Sequence, residues 1–410
     1  MRGPRSQRPP AGPAGADAAA GDGYGFLLLR RGGTVRKVPY AFFVTRPRLE
    51  SSPVVRLRET QRGNTRRGVS RAEAYRYPGA AFGPPPTYTD APVHEDGAET
   101  LYRFDLERPV ANAGAAVVSA TDGSLVHPWL LGSKDENDVQ GYAGTPVNVN
   151  QLTPDYPLDI GAAATVFPTL GKYYVSVDSG RDRFTGVPRG GSYVLRSWVN
   201  DVTPPLVRFL TVRVSTGRPT IAVQLLDGGA GVNPYSLLIS YGGVTIGASA
   251  YDPVTGVALF GLPKEAPALE AGTRRLTVSA SDFQEAKNVN TSGEVLLPNT
   301  TVAARRLQVV AGPAVTWLEP LAGGGCAGAS ARLEVAASAP GRIVSVQFLD
   351  GARPLARARG GTAGLYRATW RPADATAGRH ELRAVVTDAS GRTAEARQVV
   401  RVCRNAAAGG

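Results

Sequence analysis

The sequence of 410 residues predicts an all-β protein made of tandem β-sandwich modules. One observation is a repeat, because AGTRRLTVSASD at Ala271–Asp282 returns as AGRHELRAVVTD at Ala377–Asp388. Both copies place Leu at the sixth position and end on Asp, and an offset from 271 to 377 is close to the length of one sandwich domain. A second observation is that short β-branched and aromatic runs, separated by Gly and Pro, recur along the chain. No apolar run reaches the length of a membrane helix.

The chain begins with a segment of low complexity. Residues 1–22 are rich in Ala, Gly, Pro and Arg and lack the apolar core of a signal peptide, so we expect them to be disordered. Residues 23–49 contain two apolar runs joined through Arg-Arg-Gly-Gly, which is typical of a β-hairpin. Because one hairpin cannot form a core alone, we expect this segment to pack against a partner, such as the missing part of a longer parent protein.

The hairpin carries a resemblance to a known family. Its runs Gly25–Leu29 (GFLLL) and Val35–Tyr40 (VRKVPY) resemble the closing hairpin of the fibronectin-type-III-like domain that follows the catalytic domain in secreted subtilisin-family serine peptidases. The resemblance implies that a catalytic domain lies upstream and is absent from this chain. It also implies that this chain is the accessory region of such a peptidase.

Residues 50–200 are predicted to form one β-sandwich module. Its motifs Tyr102–Leu106 (YRFDL) and Gly191–Leu195 (GSYVL) resemble the prepeptidase C-terminal type of jelly-roll domain that occurs behind secreted bacterial peptidases. Pro- and Gly-rich turns separate the runs that we expect to be strands. These runs are Leu101–Leu106, Ala115–Ser119, Tyr173–Asp178 and Tyr193–Val199.

Two further modules follow a proline-marked boundary. The adjacent prolines of Asp201-Val202-Thr203-Pro204-Pro205 lack the N–H groups that a strand ladder needs, so this stretch predicts an extended connector. It resembles the D-x-T-P-P entry to bacterial immunoglobulin-like modules. Residues 201–312 and 313–404 are therefore predicted to be two immunoglobulin-like domains, the second with strands that include Ile343–Asp350 and Leu365–Trp370.

The only two cysteines bracket the last module. Cys326 precedes the expected strand Ala331–Ala336, and Cys403 follows the expected strand Arg397–Arg401. The first and last strands of such sandwiches commonly lie side by side, so the spacing favours a disulfide over two separate buried thiols. A disulfide indicates an oxidising setting, and hence an extracellular or cell-surface location.

Candidate catalytic residues are sparse. Asp178-Ser179-Gly180 matches the aspartate motif of subtilisins and of aspartic peptidases, but the partner motifs of either class are missing. We interpret the triplet as the end of a strand with an Asx-type turn. The three histidines, His94, His127 and His380, have no metal-ligand spacing, and we expect His127 in a loop and His380 on a strand-edge surface. The sequence therefore predicts no enzyme activity in this chain.

One oxygen-rich cluster suggests a possible cofactor. Asp135, Glu136, Asn137 and Asp138 lie together in the acidic part of the chain, and Ca²⁺ takes such oxygens as ligands. The cluster lacks the spacing of an EF-hand loop, so a solvated acidic turn is the alternative. We expect no other cofactor.

Charge gives little reason to expect a nucleic-acid partner. Residues 1–76 hold 16 Lys and Arg against 5 Asp and Glu, residues 77–160 hold 3 against 12, and residues 161–410 hold 27 against 17. The net charge of +12 is therefore spread unevenly, and no basic-aromatic motif accompanies it.

The leading hypothesis is a non-catalytic accessory array of an exported peptidase, acting as a spacer, stabiliser or binding module, with the upstream catalytic domain as partner. The alternative is a stand-alone adhesion or carbohydrate-binding protein whose partner is a cell-surface polysaccharide or protein.

Overall fold

The computed structural model of the chain describes residues 21–44, 49–51, 53–67, 100–124, 126–132, 139–142, 161–179, 185, 187, 189–284, 299–318, 326–327, 330–360, 364–372 and 375–403. The regular structure of these residues is β-strand apart from two single turns of 3-10 helix, Leu49–Ser51 and Pro234–Ser236, so the all-β prediction is confirmed. Within these ranges no helix has the length and apolarity needed to cross a membrane. The chain divides into two compact units, Met1–Val110 with Gly114–Ala143 and Gly161–Ser197, and Ala111–Ala113 with Gly144–Ile160 and Trp198–Gly410.

The predicted hairpin forms a sheet of its own in the first unit. Strand β1 (Gly21–Arg31) pairs antiparallel with β2 (Thr34–Val44), and Gly32 takes the positive φ that the tight turn requires. Strand β1 begins at Gly21, inside the stretch 1–22 that composition predicts to be disordered, because pairing with β2 continues to Val44. Phe26, Leu27, Leu28 and Leu29 are each more than half exposed. Since neighbouring residues of a strand point to opposite faces, both faces of this hairpin expose apolar side chains.

The remaining strands of the first unit form two sheets. Their bounds are β3 (Val54–Arg56), β4 (Thr60–Asn64), β5 (Thr100–Leu106), β6 (Asn112–Ala120), β7 (Val126–Leu131), β8 (Val139–Tyr142), β9 (Ala162–Val166), β10 (Gly171–Ser179) and β11 (Ser192–Val199). One sheet has the order β3-β5-β10-β7-β8 and the other β4-β11-β6-β9. The four expected strands are all present and extend beyond the predicted bounds, most of all β6, which has nine residues where Ala115–Ser119 was predicted. Leu101, Leu130 and Leu195 are fully buried, as the alternation of apolar residues predicts.

The second unit contains two sandwiches, which we call the third and the fourth (last) module because they follow the hairpin and the sandwich of the first unit. The third module begins directly after Pro204 and Pro205. The strands are β12 (Leu206–Phe209), β13 (Arg213–Ser215), β14 (Thr220–Leu226), β15 (Leu238–Tyr241), β16 (Val244–Gly247), β17 (Ala250–Asp252), β18 (Val257–Gly261), β19 (Gly272–Ser281) and β20 (Thr300–Val310). They form a four-stranded sheet, β12-β14-β18-β17, and a five-stranded sheet, β13-β20-β19-β15-β16. The first copy of the repeat lies on β19, where Leu276, Val278 and Ala280 face the core between the two sheets.

The last sandwich contains the second copy of the repeat. Its strands are β21 (Ala314–Trp317), β22 (Ala331–Ser338), β23 (Ile343–Asp350), β24 (Arg353–Arg357), β25 (Arg359–Gly360), β26 (Leu365–Trp370), β27 (Gly378–Asp388) and β28 (Thr393–Val402). They form the sheets β21-β22-β26-β25 and β24-β23-β27-β28. Leu382, Ala384 and Val386 are fully buried on β27, as the alternation predicts. Asp388 then starts the β27–β28 turn, because its Oδ1 accepts hydrogen bonds from the Ser390 and Arg392 backbone N–H groups.

The predicted disulfide closes this last sandwich. Cys326 and Cys403 are bonded, with their Cα atoms 5.4 Å apart. Cys326 also forms a parallel bridge with Arg401 near the end of β28, so the start of the module lies beside its last strand. The bond spans a sequence separation of 77 residues, which is nearly the whole module.

The two sandwiches of the second unit share an apolar interface. Three residues connect β20 to β21, and a buried cluster joins side chains from both modules. Two hydrogen bonds reinforce the contact, from Thr316 Oγ1 to the Leu210 carbonyl at 3.1 Å and from the Ser215 N–H to Ser338 Oγ at 3.0 Å. The members of the cluster are Ala222, Val257, Leu259, Leu318, Ala336 and Leu365.

Candidate functional site

The residues predicted from sequence do not assemble into one site. Asp135, Glu136, Asn137 and Asp138 lie outside the described residues, so calcium binding by this cluster stays a prediction. Asp178 and Ser179 end β10, and the backbone of Asp178 lies opposite His127 on β7. The expectation of a loop at His127 was wrong. His127 lies in the strand Val126–Leu131, which forms because Val126, Trp129 and Leu131 are buried in the core.

A cluster of carboxylates lies at the entry to the third module. Ligand oxygens of Asp201, Asp227 and Asp282 all lie within 4.8 Å of one another. Asp201 and Asp282 are buried and Asp227 is half-buried. Asp201 precedes the paired prolines, Asp227 follows β14, and Asp282 ends the repeat after β19. The strand order brings together three positions that are distant in sequence.

Hydrogen-bond donors surround these carboxylates. Asp201 Oδ2 accepts the Ala230 N–H at 2.6 Å, and Asp227 Oδ2 accepts the Gly229 and Gly231 N–H groups at 3.0 and 2.6 Å. Asn299 Nδ2 donates to Asp282 Oδ2 at 2.5 Å. Each of the three carboxylates therefore accepts at least one hydrogen bond from the surrounding residues.

The chemistry of this cluster is structural as far as the described contacts show. Three carboxylates are a ligand set that Ca²⁺ accepts. In this structure Asp227 Oδ2 closes the turn Asp227–Gly231 on itself, and Asp201 Oδ2 holds that turn through the Ala230 N–H. Sequence reasoning identified Asp201, Asp227 and Asp282 only as boundary and turn residues. Each of the three aspartates has a turn signal beside it in the sequence. Such a signal predicts a turn but does not show which turns contact each other in the fold.

The first unit contains an open cleft of about 750 Å³ beside a buried tyrosine pair. The hydroxyls of Tyr102 and Tyr193 lie 2.7 Å apart, and burial raises the pKa of both groups above the ordinary value. A Cβ at Gly63 would lie 2.2 Å from the Tyr193 hydroxyl, so only glycine leaves room for the pair. Polar side chains line the cleft, among them Gln61, Arg62, Asn64, Arg67, Thr121 and Ser192. The tyrosine rings are buried and offer no exposed platform for stacking a sugar.

His380 is not the strand-edge surface residue that its sequence context suggests. Its side chain is 10% exposed, and Nδ1 lies 2.6 Å from Asp350 Oδ2 on β23. Its Nε2 lies 2.7 Å from the Thr376 carbonyl. Both ring nitrogens therefore face oxygen acceptors, and only the protonated imidazole donates from both. Burial by itself lowers the pKa of His380, but the hydrogen bonds to Thr376 and Asp350 and the charge of Asp350 together raise it above its ordinary value.

The last module is expected to lose stability as the pH rises through the pKa of His380. A folded-state pKa above the unfolded value stabilises the fold fully below about pH 6.5, and this contribution disappears as His380 loses its proton. Melting temperatures measured between pH 5.5 and 8.5 should therefore fall more steeply for the wild type than for His380→Gln. The variant Asp350→Asn should also flatten the profile. Equal slopes in wild type and His380→Gln would contradict the assignment.

Comparisons with known proteins give structural neighbours only. No family model matches the chain, and no curated protein matches it. Among solved structures, the fibronectin(III)-like modules of Clostridium thermocellum CbhA are 16% identical, with 48% of this chain and 94% of that chain covered and a TM-score of 0.20. Dimeric latent PorU from Porphyromonas gingivalis is 12% identical, with 75% and 32% covered and a TM-score of 0.30.

A third neighbour is the BSP domain of a biofilm associated protein. It is 11% identical, with 76% of this chain and 64% of that chain covered and a TM-score of 0.30. Superposition is poor in all three cases. The β-sandwich architecture of this chain is therefore defined by its own strand order and core.

Proposed function

We propose that the chain is a non-catalytic, exported β-sandwich array whose last two modules act as a rigid spacer that presents a binding surface. The observation that carries this proposal is the apolar interface between the two sandwiches of the second unit. Leu318 is 2% exposed there, and Ala336 and Leu365 are also buried. A connection of three residues and an interface built like a core restrict hinge motion, whereas flexible modules normally meet through small polar contacts.

The disulfide supports an extracellular or cell-surface setting for the array. Cys326 is exposed and Cys403 is half-buried, so soluble thiols could reach and reduce the bond in a reducing compartment. Disulfides that stabilise a fold persist in oxidising compartments. The chain therefore suits adhesion or spacing outside the cytoplasm.

A finer proposal assigns the array to a secreted subtilisin-type peptidase. The hairpin β1–β2 favours it, because Phe26, Leu27, Leu28 and Leu29 are each more than half exposed and place apolar side chains on both faces. Surfaces of this kind on soluble proteins mark interaction sites. In this proposal the rest of the fibronectin-type-III-like domain of the parent peptidase covers the hairpin, and this chain contributes no catalytic residue.

The rigid-spacer proposal is tested by unfolding and scattering of the full chain. The two sandwiches of the second unit should unfold together. The backbone N–H groups of β14 and β22 should therefore lose their protection from hydrogen exchange at the same urea concentration. Leu318→Ser should separate the two transitions and increase the radius of gyration, whereas Val344→Ser, at a side chain that is 48% exposed, should leave both unchanged. Two separate transitions in the wild type would refute the proposal.

The purified chain is expected to show no cleavage of casein or of a nitrophenyl ester. Cleavage that Asp178→Ala abolishes would refute the absence of catalysis.

A further inference from the structure

The five-stranded sheet of the third module has an outer face with an unusual charge. On β19 and β20 the residues Leu276, Val278, Leu307 and Val309 point into the core, so the residues between them point outward. The five strands of this sheet are β13, β15, β16, β19 and β20, and they contain no Asp or Glu. We give the name basic face to eight polar outward residues of this sheet, Arg213, Ser240, Thr245, Thr273, Arg275, Thr277, Arg306 and Gln308. The same side of β20 also carries Val302, which is 68% exposed.

Two arginines lie directly opposite each other on the basic face. Arg275 on β19 pairs in register with Arg306 on β20, and both side chains are exposed. Neither forms a salt bridge with any residue in the described part of the chain. Arg213 on β13 pairs in register with Gln308, and Gln308 lies two residues, about 7 Å, along β20 from Arg306. Like charges directly opposite on a sheet cost stability, so the fold gains nothing from this arrangement by itself.

The fourth module shows how the same framework neutralises its charges. The fifth residue of the repeat is Arg275 in the third module and Glu381 in the fourth. Glu381 Oε1 accepts a hydrogen bond from Arg397 Nη1 at 2.9 Å, and Glu395 forms salt bridges with both Arg383 and Arg397. The matching face of the fourth module is therefore an ion-paired network. On the third module, by contrast, Arg275 and Arg306 have no acidic partner among the described residues and are available to an external anion.

The remaining groups on the basic face can bind hydroxyls. Thr273 Oγ1 and Gln308 Oε1 lie 3.2 Å apart, and Ser240 and Thr245 place their hydroxyls 2.7 Å apart. These groups stand on strands whose other side is buried, so their positions are fixed before binding. No aromatic ring points outward from these five strands, because Tyr241 lies in the core. A neutral sugar or a nucleic-acid base would lack its usual stacking partner here.

We propose that the basic face binds an anionic polysaccharide, with Arg213, Arg275 and Arg306 holding carboxylates and the neighbouring hydroxyl and amide groups holding sugar hydroxyls. Arginine suits this role because its planar fork binds a carboxylate through two parallel hydrogen bonds. An extended flat face accommodates a linear polymer. The inference deepens the proposed binding function and rests on it.

The test measures binding of the full chain to polygalacturonate, with dextran as the neutral polymer. The wild type should bind polygalacturonate, bind dextran undetectably and lose affinity as salt increases, because exposed ion pairs are screened. Arg275→Glu should reduce the affinity by about tenfold or more, the effect of losing a charge-assisted hydrogen bond. It should also keep its fold, because the fourth module already carries Glu381 at the matching position.

Arg379→Glu is the matched control. It makes the same change of charge on an exposed residue of β27, and its affinity should equal that of the wild type. No binding by the wild type, equal loss in both variants, or equal binding of polyglutamate or DNA would overturn the inference. The rigid-spacer proposal is measured separately by unfolding and scattering, so its outcome does not depend on the polymer.

Discussion

The variant Cys326→Ser/Cys403→Ser is expected to lower the free energy of unfolding of the last module by about 4–5 kcal/mol. The bond closes a loop across a sequence separation of 77 residues, and opening such a loop restores a large conformational entropy to the unfolded chain. The loss is a sizeable part of the total stability of a typical domain.

Hydrogen exchange of β22 and β27 in increasing urea measures this effect within the full chain. Reducing agent should shift the wild-type transition to the midpoint of the double variant and should leave the variant itself unchanged. Coincident transitions of oxidised wild type and double variant would show that the bond contributes little. In that case the support for an exported protein would also weaken.

Gly229→Ala is expected to destabilise the third module by about 1–3 kcal/mol, which is the cost of overpacking a filled site. A Cβ at this position would lie 2.2 Å from Cγ and Oδ2 of Asp201. Asp201 is 5% exposed and cannot move away easily, because its Oδ2 accepts the Ala230 N–H and its backbone is held by the Asn112 side chain.

The neighbouring glycine provides the control for this substitution. A Cβ at Gly228 meets no atom within 4 Å, so Gly228→Ala should change stability by less than about 0.5 kcal/mol. Urea unfolding of both variants gives the comparison. Equal stability of the two would mean that the carboxylate cluster is loose and does not fix the entry to the module.

Local pattern was sufficient for the strands and for the disulfide. Ile343–Asp350 and Leu365–Trp370 match the observed strands at both ends, because turn residues flank short runs with a clear alternation. The cysteine pairing was predicted from the position of Cys326 and Cys403 at the two ends of the module, and the pairing is confirmed. The expected side-by-side position of the first and last strands was wrong, because β22 and β28 lie in different sheets and only the bridge of Cys326 to Arg401 joins the two ends. Each of these inferences needs only residues that are close in sequence or a fixed strand order.

Contacts between distant strands could not be predicted in this way. The ion pair of His380 with Asp350 and the meeting of Asp201, Asp227 and Asp282 depend on strand register and sheet order. The same holds for the basic face, since a count of charges along the chain does not say which arginines share one side of a sheet. The repeat located β19 and β27, but only the partner strands β20 and β28 decide whether the charges are neutralised.

The position of the disulfide also determines how the last module bears mechanical load. A pull applied at Ala314 and beyond Cys403 reaches Cys326 soon after β21 and then passes through the covalent bond to Cys403. The strands from β22 to β28 carry none of this tension. At about 3.4 Å per extended residue, the segment between the two cysteines would add about 260 Å to the length of the unfolded chain, and the bond prevents this extension. Under stretching, the oxidised module therefore behaves as a nearly inextensible link.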